Sequence, residues 1–432
     1  MSNEPNEARP SERPASPDAE QVARTIQPVI LGADYSAYAF VRCFWEAYQA
    51  RSIILGNFDV KSISRTKYAD YRVTEGIDNA DRLLEVLADL GEQLCTDGKL
   101  PFLVTCGDFY ARIVSENKAQ LERWFYTPVS DFGVLDFITQ KKNFYETCEE
   151  VGLDYPKTLY LDCSNPDGTV DDGGFRYPVV AKPSNSAAYH YAEFPGKQKV
   201  FYAQSREELE GIYRALQQSC YDESLIVQEF IPGGDDELFA IYAYVDANSD
   251  PVFAICGHVG LEDHHPGAIG NAVAIVPEEN PQLEADVARF LKHIGYRGMC
   301  CFDVKRDPRD RRYKFLEMNA RPGRSSWLVL LAGINFAKIM VDEVVLGIRP
   351  AAVRPSTDWA YVGVPRRVIA KYMRPGELKE RLLKAYDSGK ASFALGGKGE
   401  SLSQRLWSGL NYWNQVRKFA RYCPLPEDSE RA

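Results

Sequence analysis

The sequence predicts an α/β protein, with a first unit built on a mainly parallel sheet, a second unit mixing strands and helices, and a helical end. Three observations predict it. Apolar strands alternate with amphipathic helical stretches from Pro28 to Thr105. A pair of strands around Phe302 and Phe315 is joined by the polar turn Asp307-Pro308-Arg309-Asp310. Residues Leu402 to Tyr422 carry apolar side chains at helical spacing.

The first 24 residues, Met1 to Arg24, are rich in Pro, Glu, Ser and Asn and hold no apolar core, so residues 1–24 are expected to be a disordered tail. The first unit, residues 25–135, opens with the apolar strand Pro28 to Asp34, ending in Gly32. It continues with a helical pattern around Ala39, Val41, Phe44 and Trp45, the strand Ser52 to Leu55, the helix Ala80–Leu94 and the strand Pro101–Thr105. Gly32 sits where a strand turns into a helix. Without a G-x-G-x-x-G pattern it reads as a tight turn rather than a phosphate site.

The second unit, residues 136–350, carries the chemistry. Gln140-Lys141-Lys142-Asn143-Phe144 opens a helix running to about Val151, with Gly152 suited to its C-terminus. Tyr177 to Pro183 is an apolar strand with Lys182 near its end, and a lysine emerging from a core strand commonly meets an anion; the alternative is a side chain that reaches the surface. Ser184, Asn185 and Ser186 then form either a phosphate-covering loop or a surface turn. After a helical pattern from Glu207 to Ser219, the strand Leu225 to Phe230 runs into Ile231-Pro232-Gly233-Gly234 and two acids, Asp235 and Asp236. Such a strand can offer backbone groups to an adenine edge, and such acids can accept from ribose hydroxyls or merely solvate the turn.

The strongest constellation is the strand pair. With a hairpin centred near Asp310, Asp303 and Glu317 lie opposite one another, their Cβ atoms ~5 Å apart. Asn319 projects from the same face. Two acids and an amide oxygen form a hard oxygen cluster suited to magnesium, which takes substrate phosphates among its other ligands. Arg321 continues the alternation toward the phosphates. Arg324, followed by Ser325 and Ser326, is placed either as a clamp for a substrate carboxylate or on the surface.

Composition narrows the partners. A net charge of −10 over 432 residues argues against nucleic acid, whose phosphates need clustered positive charge. The ten cysteines show no zinc spacing or disulfide framework and fit a cytoplasmic protein. No stretch reaches the ~20 apolar residues of a membrane span. His258, His264 and His265 flank Gly257 to Asn271, a Gly-rich stretch expected to be a loop and a candidate for substrate recognition; with His190 distant, they make no zinc pattern.

The ordered set Lys141, V-V-A-K-P with Lys182, V-Q-E-F-I-P-G from Val227 to Gly233, F-D-V-K with Asp303, and L-E-M-N-A-R-P-G-R-S from Leu316 to Ser325 resembles the ATP-grasp superfamily. Phe144 to Thr158 and R-P-G-R-S-S-W-L-V-L-L-A-G-I-N, from Arg321 to Asn335, resemble its carboxylate–amine ligases, among them the bacterial D-aspartate ligases of peptidoglycan cross-bridge synthesis. The similarity covers roughly residues 28 to 350.

The resemblance implies a parallel-sheet domain ahead of a two-lobed α+β catalytic domain, with a mobile lobe over about 177–230. It implies that Lys141 and Lys182 hold nucleotide phosphates, with Ser186 in the covering loop, and that Gln228, Glu229, Phe230 and Ile231 line the adenine pocket. Asp235 or Asp236 would meet the ribose. Asp303, Glu317 and Asn319 would bind two magnesium ions, with manganese able to replace them, and Arg321 would act beside the transferring phosphoryl group. Arg324, Ser325 and Ser326 would bind the substrate carboxylate. Two positions depart from the pattern: the loop after Lys182 reads Ser-Asn-Ser-Ala-Ala instead of glycine-rich, and Gln140 stands where an acid often precedes the first lysine, leaving Lys142 as the alternative. The implied activity is ADP-forming joining of an amino-acid carboxylate to an amine, with a peptidoglycan precursor as one acceptor. A soluble amide product and a non-catalytic nucleotide-binding regulator are the alternatives.

Residues 351–432 are expected to form a helical extension. The apolar stripe Leu406, Trp407, Leu410, Tyr412, Trp413, Val416, Phe419 and Tyr422, flanked by Arg405, Arg417, Lys418 and Arg421, is expected to pack on the catalytic core, with peripheral contact to an anionic membrane as the alternative.

Overall fold

A computed structural model describes residues 17–425 except 172, 185–188, 190, 199, 267 and 398. The chain forms two compact units. One gathers the residues up to Thr139, Leu238–Asp303 and those from Met318 onward; the other gathers Gln140–Glu237 and Val304–Glu317.

The first unit begins with a helix where a tail was expected. Ala19–Thr25 is helical because the Asp18 carboxylate accepts from the Gln21 N–H and Val22 is buried beneath it. The strands β1 (Ile26–Leu31), β2 (Ser52–Gly56), β3 (Ala69–Val73) and β4 (Leu100–Thr105) form a parallel sheet in the order β3-β2-β1-β4. Strand residues alternate between two cores. Ile30, Ile54, Phe102 and Val104 pack with the helix Tyr35–Tyr48, whereas Val29, Ile53, Leu55 and Leu103 pack with Leu83, Leu87 and Leu90 of the helix Ala80–Thr96. Both faces are therefore covered, as a parallel sheet requires. Gly32 serves the turn after β1: its φ is +102°, and a Cβ there would stand 2.3 Å from the Cys106 carbonyl oxygen.

Seven further strands make a second sheet. They are β9 (Leu238–Val245), β10 (Pro251–Glu262), β11 (Ala272–Pro277), β12 (Gly298–Arg306), β13 (Tyr313–Asn319), β14 (Ala360–Val362) and β15 (Ala391–Ser392), in the order β13-β12-β9-β10-β11-β14-β15. Of the Gly-rich stretch from Gly257 to Asn271, expected as a loop, the part from Gly257 to Glu262 is strand. β10 runs to Glu262 and pairs with β9 and β11, leaving a short connection that includes His264 and His265; Gly267 lies outside the described residues. Glycine is present for close packing, because a Cβ on Gly257 would meet Ile275 at 2.5 Å. His258 is accordingly a buried strand residue stacked on Phe239, with ring centroids 4.3 Å apart.

The C-terminal segment joins the first unit through a buried carboxylate. Glu400 accepts from the Tyr38 hydroxyl and the Thr66 hydroxyl, both at 2.6 Å, and from the Ser401 N–H at 3.2 Å. Around it Tyr68 donates to the Gly399 carbonyl, Ser401 to that of Arg65, and Gln404 to that of Ser62. The helix Leu402–Tyr422 that follows departs from expectation. Its buried residues are Gln404, Ser408, Gln415 and Phe419, while Leu402, Leu406, Leu410 and Trp413 face solvent. Only part of the expected stripe packs: Phe419 reaches Tyr372, and Tyr412 meets Phe393 edge-on at 4.0 Å.

In the second unit the antiparallel strands β5 (Thr158–Asp162), β6 (Val179–Pro183), β7 (Phe201–Ala203) and β8 (Ser224–Glu229) lie in the order β5-β8-β6-β7. The helix Arg206–Gln217 covers this sheet through Leu209, Tyr213 and Leu216. The helix Lys141–Glu150 is tied to β13, the Tyr145 hydroxyl donating to the Leu316 carbonyl at 2.8 Å.

Candidate active site

Lys141 begins its helix and reaches Glu317, the ammonium lying 3.1 Å from the carboxylate. Lys142, one residue on, points elsewhere and meets Glu146 at 3.8 Å on the helix surface. Lys182, near the end of β6, is half-buried, and its ammonium makes no hydrogen bond or ion pair among the described residues. Burial first, and then the neighbouring Lys141, lower its pKa to about 8 against the opposing pull of Glu317. Two ammonium groups held together with a single carboxylate make a site that an anion would complete. Ser186, expected beside them, lies outside the described residues.

The segment expected to bind adenine is more constrained than its sequence implied. β8 is an interior strand, so its backbone through Gln228 is already paired with β5 and β6. The Glu229 N–H donates to Lys157, and its carboxylate accepts from the Lys157 N–H and pairs with Arg309 at 3.2 Å. The buried Gln228 amide donates to the Thr158 hydroxyl. Phe230 packs edge-on against Tyr202 with the Lys305 ammonium over its ring, and Ile231 is buried. The Lys305 ammonium also holds the Gly233 carbonyl at 2.9 Å. Asp235 and Asp236 lie half-buried in one turn of 3₁₀ helix, beside an ion pair of Glu237 with Arg306 at 2.6 Å.

In the first unit the Asp303 carboxylate accepts from the Asn319 amide at 3.2 Å, and the Asn319 oxygen accepts from Arg321 at 3.2 Å. Arg321 also grips Asp108 through two hydrogen bonds, of 2.9 and 3.2 Å. Arg324 stacks over the Tyr35 ring at 4.8 Å, and its guanidinium forms no hydrogen bond or ion pair among the described residues. Ser325 is buried, its N–H donating to the Tyr242 hydroxyl and its own hydroxyl to the Ala272 carbonyl. Ser326 is fully buried, with its hydroxyl on the Gly323 carbonyl.

Sequence reasoning missed Asp34, Tyr35 and Asp108. All three follow the C-terminal ends of β1 and β4, the neighbouring strands between which the sheet order reverses, and ligands of open parallel sheets favour that crevice. The available signal was a Gly-x-Asp after one strand and a Gly-Asp after the other.

Asp303 and Asn319 in the first unit, and Glu317 in the second, each offer hard oxygens and no sulfur or imidazole, which is donor chemistry that fits magnesium. Such an ion would screen phosphate charge.

Lys182 supplies a pH test. Phosphate beside it favours the ammonium and raises its pKa, so nucleotide binding takes up a proton above about pH 8 and affinity falls as pH rises through that value. Calorimetric titration near pH 8.5, in two buffers of different ionisation heat, should register the uptake in the wild type and not in Lys182→Met. Equal heats in both buffers would remove Lys182 from the nucleotide site.

Residues 261–347 match the family described as the ATP-binding domain of the carbamoyl-phosphate synthase L chain. The chain is 32% identical over 411 residues to a D-aspartate ligase of Enterococcus faecium (strain Aus0004), covering 93% of this chain and 97% of that one. Among solved structures, the L-amino acid ligase from Bacillus licheniformis superposes with a TM-score of 0.53 at 15% identity, covering 78% of this chain and 79% of that one. The biotin carboxylase domain of Hydrogenobacter thermophilus 2-oxoglutarate carboxylase, solved with MgADP, ADP and bicarbonate, gives 0.53 at 16% identity, over 77% and 72%.

Proposed function

The chain belongs to the D-aspartate ligase family of ATP-grasp enzymes and is an ATP-dependent carboxylate–amine ligase; from this premise we propose that it works through an acyl phosphate, with D-aspartate as the activated acid. A carboxylate oxygen attacks the γ-phosphorus of ATP and ADP leaves. An amine then attacks the acyl carbon, phosphate leaves, and the amine gives up a proton, so the products are an amide, ADP and phosphate. The acceptor amine belongs to a peptidoglycan precursor in this reading.

The observation that carries the proposal is the pair Lys141 and Lys182, two ammonium groups beside Glu317 with Lys182 unpartnered among the described residues. In this reading they hold the β- and γ-phosphates, while Phe230 and Ile231 present the free backbone edge to adenine and Asp235 or Asp236 meets the ribose. Asp303, Glu317 and Asn319 would supply the protein ligands to magnesium. Arg321 shifts from Asp108 to the phosphoryl group, and Arg324 clamps the second carboxylate of the amino acid. Ser325 and Ser326 position Arg324 through the backbone rather than touch substrate, since both hydroxyls are already engaged.

The experiment is a screen of D- and L-amino acids for stimulated release of ADP, with the coupled product identified by mass. Magnesium-dependent ADP and phosphate with D-aspartate is the expected result. Release of AMP and pyrophosphate would overturn the acyl-phosphate route, and stimulation by another acid alone would overturn the substrate.

A further inference from the structure

We infer that the exposed face of the helix Leu402–Tyr422 docks this enzyme onto the surface of an anionic phospholipid bilayer. The helix is turned against the usual rule. Its inner side presents Gln404, Ser408 and Gln415 beside Phe419, while Leu402 is 82% exposed, Leu406 63%, Trp413 55% and Leu410 46%. Leu402, Leu406 and Leu410 follow one another at intervals of four, and Trp413 lies between the first two around the axis, so the four make one stripe. From Trp413 the same face continues, again at intervals of four, through Arg417 and Arg421.

Charge identifies the occupant. In a chain of net charge −10, these 21 residues contain no Asp or Glu and four cations, Arg405, Arg417, Lys418 and Arg421. None of the four pairs with a carboxylate among the described residues. Arg417 lies over the Trp413 ring at 5.0 Å, joining the apolar and basic parts of the face. Beyond it, an open hollow of about 560 Å³ is lined by His265, Asn414, Arg417, Lys418, Arg421 and Tyr422, a polar basic concavity able to take a phosphate headgroup.

An apolar stripe with a Trp and flanking cations is the pattern by which helices lie in the headgroup region. A second copy fits less well. Self-complementary pairing of this face would bring in Arg417 and Arg421 from both copies with no carboxylate on the helix to offset them. No helix is long and apolar enough to cross a membrane among the described residues, so docking is peripheral in this proposal.

The test is flotation of the full chain with vesicles of phosphatidylglycerol and phosphatidylcholine, against vesicles of phosphatidylcholine alone. The chain should float with the anionic vesicles, remain behind with the neutral ones, and lose at least about tenfold in binding between ~0.1 and ~0.5 M salt. The double variant Leu406→Glu with Trp413→Glu should lose flotation while keeping its melting midpoint and ATP affinity, because neither residue belongs to the nucleotide or substrate set. In addition, Trp413 fluorescence should be quenched by brominated acyl chains. Failure of the wild type to float, flotation that the double variant shares, or a wild-type dimer that the variant breaks would overturn the proposal.

Discussion

Glu317→Gln is expected to lower turnover by about three orders of magnitude while leaving ATP-free stability nearly unchanged. The carboxylate holds Lys141 at 3.1 Å and favours the charged form of Lys182. Its loss therefore does two things. It removes one proposed magnesium ligand, and it leaves two ammonium groups facing each other without an anion, so Lys182 titrates at lower pH and is less charged near neutrality. The side chain is partly exposed and its neighbours can rehydrate, which is why the fold should survive. Steady-state ADP release, with thermal denaturation as a control, decides the matter. Near-normal turnover would reduce Glu317 to a surface partner of Lys141.

Arg324→Lys should raise the amino-acid Michaelis constant about 30- to 100-fold and leave that for ATP nearly constant, the equivalent of about 2–3 kcal/mol for losing a two-pronged grip on a carboxylate. The guanidinium is held by stacking over Tyr35 with its hydrogen-bonding edge unengaged among the described residues, so the fork is positioned before substrate arrives. Lysine can keep a cation over the ring but offers one point of attachment. Saturation curves in each substrate separate the outcomes: a rise confined to ATP would move Arg324 to the phosphate site, and no change in either would place the clamp elsewhere.

The strands and helices that bury one face were legible because their periodicity is local. β1, β2, β4 and the helices Tyr35–Tyr48 and Ala80–Thr96 lie within a few residues of where apolar alternation put them. Lys141 and Glu317 were both singled out, each on its own segment. What sequence hid is pairing across distance. Asp108 meets Arg321 from 213 residues away, and no local pattern marks that ion pair. Gly257 was read as a loop residue because glycine signals turns, yet here it admits Ile275 across a strand pair. For the helix Leu402–Tyr422, periodicity revealed apolar positions but not that they divide between two sides, since that depends on which neighbours Glu400 brings against it.

Glu400 also sets a timetable. Tyr38 lies on the helix Tyr35–Tyr48 and Thr66 just ahead of β3, but the carboxylate that accepts from both lies 362 and 334 residues downstream. At roughly 5–20 residues per second, a ribosome leaves those hydroxyls waiting for about 17–72 s before their acceptor emerges. Through that interval the nascent first sheet holds its outer helix without the clasp, exposed to chaperones and proteases. The arrival of Glu400 is thereby registered at a much earlier helix, and a product truncated before Glu400 leaves the Tyr38 and Thr66 hydroxyls without this acceptor.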